Sequence, residues 1–342
     1  MKRNLIIKLL SVAFFVTLCL IVSSPDLAAE DVIKLRYSNF FPPPHKCSIS
    51  AEEWCREIEK RTNGKVKITY YPGGTLTPAP QTYDSIVKGI TDIGYCINCY
   101  SRGRFPLMEI LDLPLGYTSG LQASKLANAF YQKFKPKTFN DTKVLYMHGH
   151  GPGLIHTRKV IKSLDDVKGL RIKCGGTPQK IVRALGGAPA TMPMPEAYDA
   201  LKKGLADGAL LPMESLKGWR LGELLRCTVM NYGISYTSSM TIAMNKKKWN
   251  SLPKDVQQVF EEVSKEWIEK QGKVWDEIDK EGYEYAAKMP GYTFVEVTKS
   301  QEVSAREKVR PLLDQYVNDM KVKGLPADEA LKFCLNWLKK NP

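Results

Sequence analysis

The chain has 342 residues, a formal charge of +14 from 50 Lys and Arg against 36 Asp and Glu, and a hydrophobic content of 43%. That length suits two lobes better than one core, and the apolar content is ample to fill both. The cations are interleaved with acids, as in EEWCREIEKR and EEVSKEWIEKQGK, which is the pattern of solvated helix faces and argues against a nucleic-acid partner.

The first 29 residues have the order of a secretory signal: basic Lys2, Arg3 and Lys8, an apolar run from Leu9 to Val22, and small Ala28 and Ala29 at the exit. The run is shorter than the ~20 residues of a membrane-spanning helix. Residues 1–29 are therefore expected to be removed, leaving a charge of +12 and a periplasmic location. A lipid anchor on Cys19 is disfavoured because Leu18 stands where a small residue is wanted. Seven cysteines remain, an odd number that leaves at least one thiol unpaired within the chain. Cys96 and Cys99 form a lone C-x-x-C, read as two packing residues or one local disulfide rather than half a metal site.

The remaining chain opens with a predicted strand, 33–37, and a loop ended by Pro42, Pro43 and Pro44. Ala51, Trp54 and Ile58 recur at helical spacing between a capping Ser50 and a terminating Gly64. Residues 65–71 alternate as a strand, followed by a short helix at 83–88 and a strand at 91–96. A second α/β series follows: strands at 143–148, 169–174, 189–192, 207–211 and 236–244, with helices at 177–185 and 196–203. Past Pro253 a long amphipathic helix carries Val256, Phe260, Val263, Trp267 and Val274 on one stripe, with Gly272 as a point of bending. At about 1.5 Å per residue it reaches some 50 Å, enough to brace two lobes.

His148, His150 and His156 cluster in HGHGPGLIH, a pattern open to zinc, but no acidic or thiol ligand stands nearby in sequence. Gly149, Gly151 and Gly153 suit instead a strand crossing between lobes. No G-x-S-x-G elbow, Ser-x-x-Lys or phosphate-cradling glycine loop is present, which lowers the prior for an enzyme. In LDDVKGLRIKCGG, Arg171 and Lys173 lie two apart on a strand, so both leave by one face, where a fixed cation can capture a carboxylate.

The runs EIEKRTNGKVKITYYPGGTL, GITDIG, EILDLPLGY, SLDDVKGLRIKCGG, ALGGAPATMPMPEAYDALKKGLADG and MNKKKWNSLPKDVQ occur in an order that resembles the DctP-like substrate-binding proteins of tripartite ATP-independent periplasmic (TRAP) transporters. The resemblance implies an α/β, two-lobed periplasmic binding protein fold with crossing strands and a long bracing helix. Lobe I would take 30–150 plus about 242–280, and lobe II 151–241 plus about 281–342. It also implies a small organic anion as ligand, a membrane permease as partner, a monomer, and neither catalysis nor cofactor nor bound metal.

The family's carboxylate-binding arginine is replaced by Lys173, which keeps the charge and loses the planar fork. Arg171 is its expected helper. An aromatic position of the family is Met194, and polar ones are Leu210, Leu211, Ile97 and Gly153, so the pocket is expected to be less polar than in relatives that bind sugar acids. Trp219, Tyr236, Tyr95, Asn98, Ser38 and Asn39 complete the expected site. The expected ligand is a monocarboxylate with an apolar or aromatic body. Glu214, if it faces the pocket, would pair with Lys173 or receive an ammonium or hydroxyl group. The alternatives are a periplasmic sensor subunit of the same fold, a secreted enzyme or a zinc-binding protein.

Overall fold

The structure is a computed structural model that describes residues 32–342; the expected signal lies outside the described residues. In chain order the strands are β1 (Ile33–Ser38), β2 (Val66–Tyr71), β3 (Ile93–Ile97), β4 (Thr142–Gly149), β5 (Gly153–Thr157), β6 (Arg171–Cys174), β7 (Ala188–Thr191), β8 (Gly208–Pro212), β9 (Cys227–Met230), β10 (Ser239–Asn245) and β11 (Thr293–Glu296). The helices are α1 (Lys46–Arg61), α2 (Thr82–Val87), α3 (Gly120–Phe134), α4 (Gln179–Ala184), α5 (Ala197–Lys202), α6 (Ser215–Gly218), α7 (Lys246–Ser251), α8 (Lys254–Ala287), α9 (Lys299–Val309), α10 (Pro311–Val322) and α11 (Ala327–Lys340). No helix among the described residues is long and apolar enough to cross a membrane.

The strands form two sheets among the described residues. The first runs β2-β1-β3-β10-β4, with β1 and β3 parallel and β10 antiparallel to both its neighbours. The second runs β11-β9-β5-β8-β6-β7, with β6 parallel to β7 and β8, so that Lys173 stands opposite Ala190 and Ala209. Besides the long passage from β10 through α8 to β11, the chain passes between the sheets by two short crossings, from β4 to β5 and from β9 to β10. These two crossings are stitched together: Gly153 N–H donates to the Tyr236 carbonyl at 2.8 Å and the Thr237 hydroxyl to the His150 carbonyl at 2.7 Å. Gly153 is required there, since a Cβ would stand 2.1 Å from the Tyr236 ring.

Helix α1 starts at His45, whose ring rather than the expected Ser50 accepts the Cys47 N–H at 3.1 Å; Ser50 lies inside the helix. Helix α8 is continuous over 34 residues. Its buried stripe follows Val256, Phe260, Val263 and Trp267 and then turns through Gln271 to Trp275, leaving Val274 half-buried. Gly272 does not interrupt the helix, and it lets Leu121 of α3 approach, where a Cβ would meet the Leu121 Cα at 2.8 Å. Each large apolar side chain buried along this stripe contributes about 1.5–3 kcal/mol, which fixes α8 against α1 and α3.

Several apolar clusters among the described residues fill the fold. One joins the first sheet and α3 through Leu126, Phe130, Met147 and Ala243. A second packs Ile155, Ile172, Ile181 and Val229 of the second sheet with Ala305 and Val309 of α9. A third holds Met194, Leu201, Leu211 and Leu216. Within the stretch 281–342, β11 and α9 pack with the second sheet, whereas Tyr316, Met320, Ala330 and Cys334 of α10 and α11 join the first cluster. Helix α3 and strands β5, β9 and β11 are not among the elements expected from sequence. All seven cysteines among the described residues are buried and free, Cys96 and Cys99 included.

Candidate functional site

Side chains from both sheets, from the two crossings and from α8 surround a narrow cavity of about 40 Å³. Phe40, Phe41, Ile97, Tyr100 and Met240 come from the first sheet and its loops. Lys173, Gly175, Met194, Leu211, Pro212 and Glu214 come from the second. His150, Tyr236 and Ser238 line it from the crossings, and Trp219 and Trp275 complete the wall.

Most of this wall is aromatic. Phe40 and Phe41 follow β1 directly, with ring centroids 4.4 Å apart, and Trp219 stacks 6.5 Å from Phe40 and lies 5.6 Å from Phe41. Asn39 sets this turn: its Oδ1 accepts the Phe41 N–H at 3.0 Å while its Nδ2 donates to the Tyr70 hydroxyl at 2.8 Å. Tyr95 stands behind both phenyl rings in edge-on contact at 5.7 and 5.2 Å. The Tyr100 hydroxyl accepts the Met194 N–H at 2.8 Å and so ties the loop after β3 to the second sheet.

Lys173 is 1% exposed. Among the described residues its Nζ has one polar contact, the Met194 thioether at 3.4 Å, and sulfur is a weak acceptor. Burial pushes its pKa down to about 8, partly offset by neighbouring acidic groups that include Glu214. An ammonium so dehydrated and so poorly matched gains most from an anion that enters the cavity.

Glu214 is 3% exposed and does not reach Lys173 for a hydrogen bond. Its Oε2 lies 3.0 Å from Nε2 of His45. Because Nδ1 of His45 accepts the Cys47 N–H, the ring proton sits on Nε2, and the imidazole donates to the carboxylate.

The other histidines have separate tasks. His150 takes the Ser238 N–H on Nε2 at 2.9 Å and donates from Nδ1 to the Gly151 carbonyl at 2.6 Å. His148 accepts from Trp275 at 3.0 Å, and His156 lies between Thr228 Oγ1 and the Leu211 carbonyl. Burial pushes their pKa values down to about 4, 3 and 4 for His150, His148 and His156, so all three are neutral. No group of three or more His, Cys, Asp or Glu side chains among the described residues is arranged to hold a metal.

Of the residues expected from sequence, Ile97, Lys173, Met194, Leu211, Glu214, Trp219 and Tyr236 meet at the cavity, whereas Leu210 and Gly153 are not in its wall. Arg171 does not. It lies at the exposed start of β6 with Nε and Nη2 on the two Asp207 oxygens at 2.9 and 2.7 Å. Strand alternation puts it on the Lys173 side but two residues nearer solvent, where Asp207 satisfies it. Asn98 is spent on Ser239 and Thr241, and Ser38 on Thr77. Asn39 and Tyr95 support the aromatic wall from behind. The sequence reading has His150 as a zinc candidate and lacks Phe40, Phe41, Tyr100, Ser238, Met240 and Trp275, of which only the paired Phe before three prolines carries a local signal.

Another groove, lined by Ser163, Asn231, Gln301, Ser304 and Lys308, has its cation already paired with Asp165.

Residues 37–319 match the bacterial extracellular solute-binding proteins of family 7. The chain belongs to this family. A TRAP periplasmic solute-binding protein from Desulfovibrio salexigens, solved as an open complex, is 34% identical and covers 89% of this chain and 95% of its own, with a TM-score of 0.79. A TRAP solute-binding protein from Rhodoferax ferrireducens, in complex with copurified benzoate, is 28% identical over 90% of this chain and 98% of its own, with a TM-score of 0.86. The C4-dicarboxylate-binding periplasmic protein DctP of Rhodobacter capsulatus is 25% identical over 92% of this chain and 94% of its own. The two-lobed fold with crossing strands and a long helix is therefore that of the TRAP solute-binding proteins, a family of binding proteins rather than enzymes.

Proposed function

We propose that this solute-binding protein is the periplasmic receptor of a TRAP uptake system, which captures a small monocarboxylate with an aromatic or apolar body and hands it unchanged to a membrane permease. The carrying observation is Lys173, a buried ammonium with a thioether for its one polar contact, set in an aromatic wall. A carboxylate would complete the missing half of that interaction, and Phe40, Phe41 and Trp219 would hold a flat body. The Rhodoferax relative with benzoate supports the same ligand class. The basic, apolar, small-residue order of residues 1–29 supports export.

In this proposal the lobes follow the two sheets, the described form is closed, and the Tyr100 to Met194 hydrogen bond is one of the contacts that open for release. The protein acts as a monomer.

A thermal-shift screen of the mature protein tests the proposal. Benzoate and related monocarboxylates at 100 times the dissociation constant should stabilise it by about 2.7 kcal/mol. Stabilisation by uncharged solutes alone would reject it.

A further inference from the structure

The cavity has a second pole that a plain carboxylate leaves unused. Of the two Glu214 oxygens, Oε2 is engaged by His45, and Oε1 has no hydrogen-bond partner among the described residues. His45 is itself fixed by the Cys47 N–H, and the Glu214 backbone N–H is held by Asp279 at 2.8 Å, so the carboxylate cannot easily swing away. Beside it, the buried indole Nε1–H of Trp219 lacks a partner, and the Trp219 ring lies 5.9 Å from that of His45. One acceptor and one donor, both unmet, thus occur on neighbouring side chains that line the same cavity.

This pole shares no hydrogen bond with Lys173. Across the parallel pair β6 and β8, Lys173 stands opposite Ala209, and Glu214 comes after β8 has ended at Pro212. The strand alone advances about 10 Å from Ala209 to Pro212. Apolar Leu211, Phe40 and Phe41 share the wall with these two polar ends.

We propose that Glu214, with Trp219, determines specificity by binding a hydroxyl group that the ligand carries away from its carboxylate, so that the preferred solute is a hydroxylated aromatic monocarboxylate. The inference rests on the carboxylate reading of Lys173. A hydroxyl supplies one donor for Glu214 and accepts from Trp219, which satisfies both groups at once. An ammonium brings three donors to one open oxygen and has nothing to accept the indole N–H with. A second carboxylate would meet Glu214 as a like charge in a dehydrated site, so dicarboxylates are disfavoured.

The test is titration calorimetry of the mature protein at pH 7 with benzoate, 3- and 4-hydroxybenzoate, their methyl ethers, 3-(aminomethyl)benzoate and isophthalate. One of the hydroxy acids should bind about 10- to 100-fold tighter than benzoate, the gain expected of a hydrogen bond to a charged acceptor. Its ether should lose that gain, and isophthalate should bind more weakly than benzoate. In Glu214→Gln, whose oxygen can still accept from His45, the hydroxy-to-plain ratio should fall to within about 3-fold, below the gain of such a bond; a melting curve checks its folding. The wild-type series decides by itself even if the variant misfolds. Equal binding of plain and hydroxy acids, a preference that survives Glu214→Gln, or tightest binding of the ammonium or dicarboxylate probe would overturn the second pole while leaving the carboxylate anchor intact. If no acid in the set binds, the carboxylate reading falls and this inference with it.

Discussion

The Lys173 ammonium lies 3.4 Å from the Met194 thioether and makes no ion pair among the described residues. A structural lysine at 1% exposure would be matched by a carboxylate or several carbonyls. Here a dehydrated, poorly matched charge is kept in a cavity wall, at a cost to the ligand-free fold that an entering anion would offset under the proposed function.

Lys173→Met separates those two effects. The ligand-free variant should be more stable than wild type by about 1–4 kcal/mol, as when buried charges are replaced by apolar groups of similar volume. It should also lose at least 100-fold in carboxylate affinity, the cost of removing one partner of a buried charge pair. Denaturant unfolding and calorimetry on the same preparations check both.

The same group sets a pH dependence. The pKa of Lys173 is about 8 in the folded protein against 10.5 for the free side chain. Between those values the unfolded chain binds more protons, so the penalty is complete below pH 8 and fades as pH rises toward 10.5. Its full size is on the order of 3 kcal/mol. The stability difference between Lys173→Met and wild type should therefore shrink over pH 8 to 10. Carboxylate affinity should fall over the same range, up to about tenfold per pH unit. Unfolding curves and titrations of both proteins at several pH values measure this.

Arg171 is committed to Asp207 at the solvent end of β6. Arg171→Ala should change carboxylate affinity by less than about 3-fold, as expected for a screened surface charge. A loss as large as that of Lys173→Met would show that the two act together.

At the crossing of the sheets, Gly153→Ala should destabilise the protein by about 1–3 kcal/mol, the usual cost of overpacking. The new methyl would push into the Tyr236 ring, which lines the cavity, so ligand affinity should drop as well. Melting curves with and without ligand distinguish the two losses.

The alternating and helical patterns made the α/β order legible in sequence, because β1, β2 and α8 bury one face each and their spacing records it. Alternation alone put Lys173 on one face with Arg171, and its place at the pocket came from its position in the family's motif. The place of Arg171 outside the pocket was not legible, because period-two alternation gives the side of a strand but not the depth along it. Val274 was placed on the α8 stripe where Trp275 is buried, since over such a length a 3.6-residue period drifts between neighbouring positions. The His45 to Glu214 contact, 169 residues apart, and the His150 to Ser238 contact, 88 apart, depend on sheet order and leave no local trace. The three clustered histidines point in sequence to a metal, yet each is neutral and held by a partner of its own in the fold, with Nε2 of His148 buried and unpartnered among the described residues.

The most direct measurement is calorimetric titration of the mature wild-type protein with benzoate and with benzamide at pH 7. If Lys173 is the anchor, benzoate should bind at least 100-fold tighter, because the amide has the same ring and no charge for the buried ammonium. Equal affinity for the two, or tighter binding of the amide, would contradict the central claim that this cavity recognises a carboxylate.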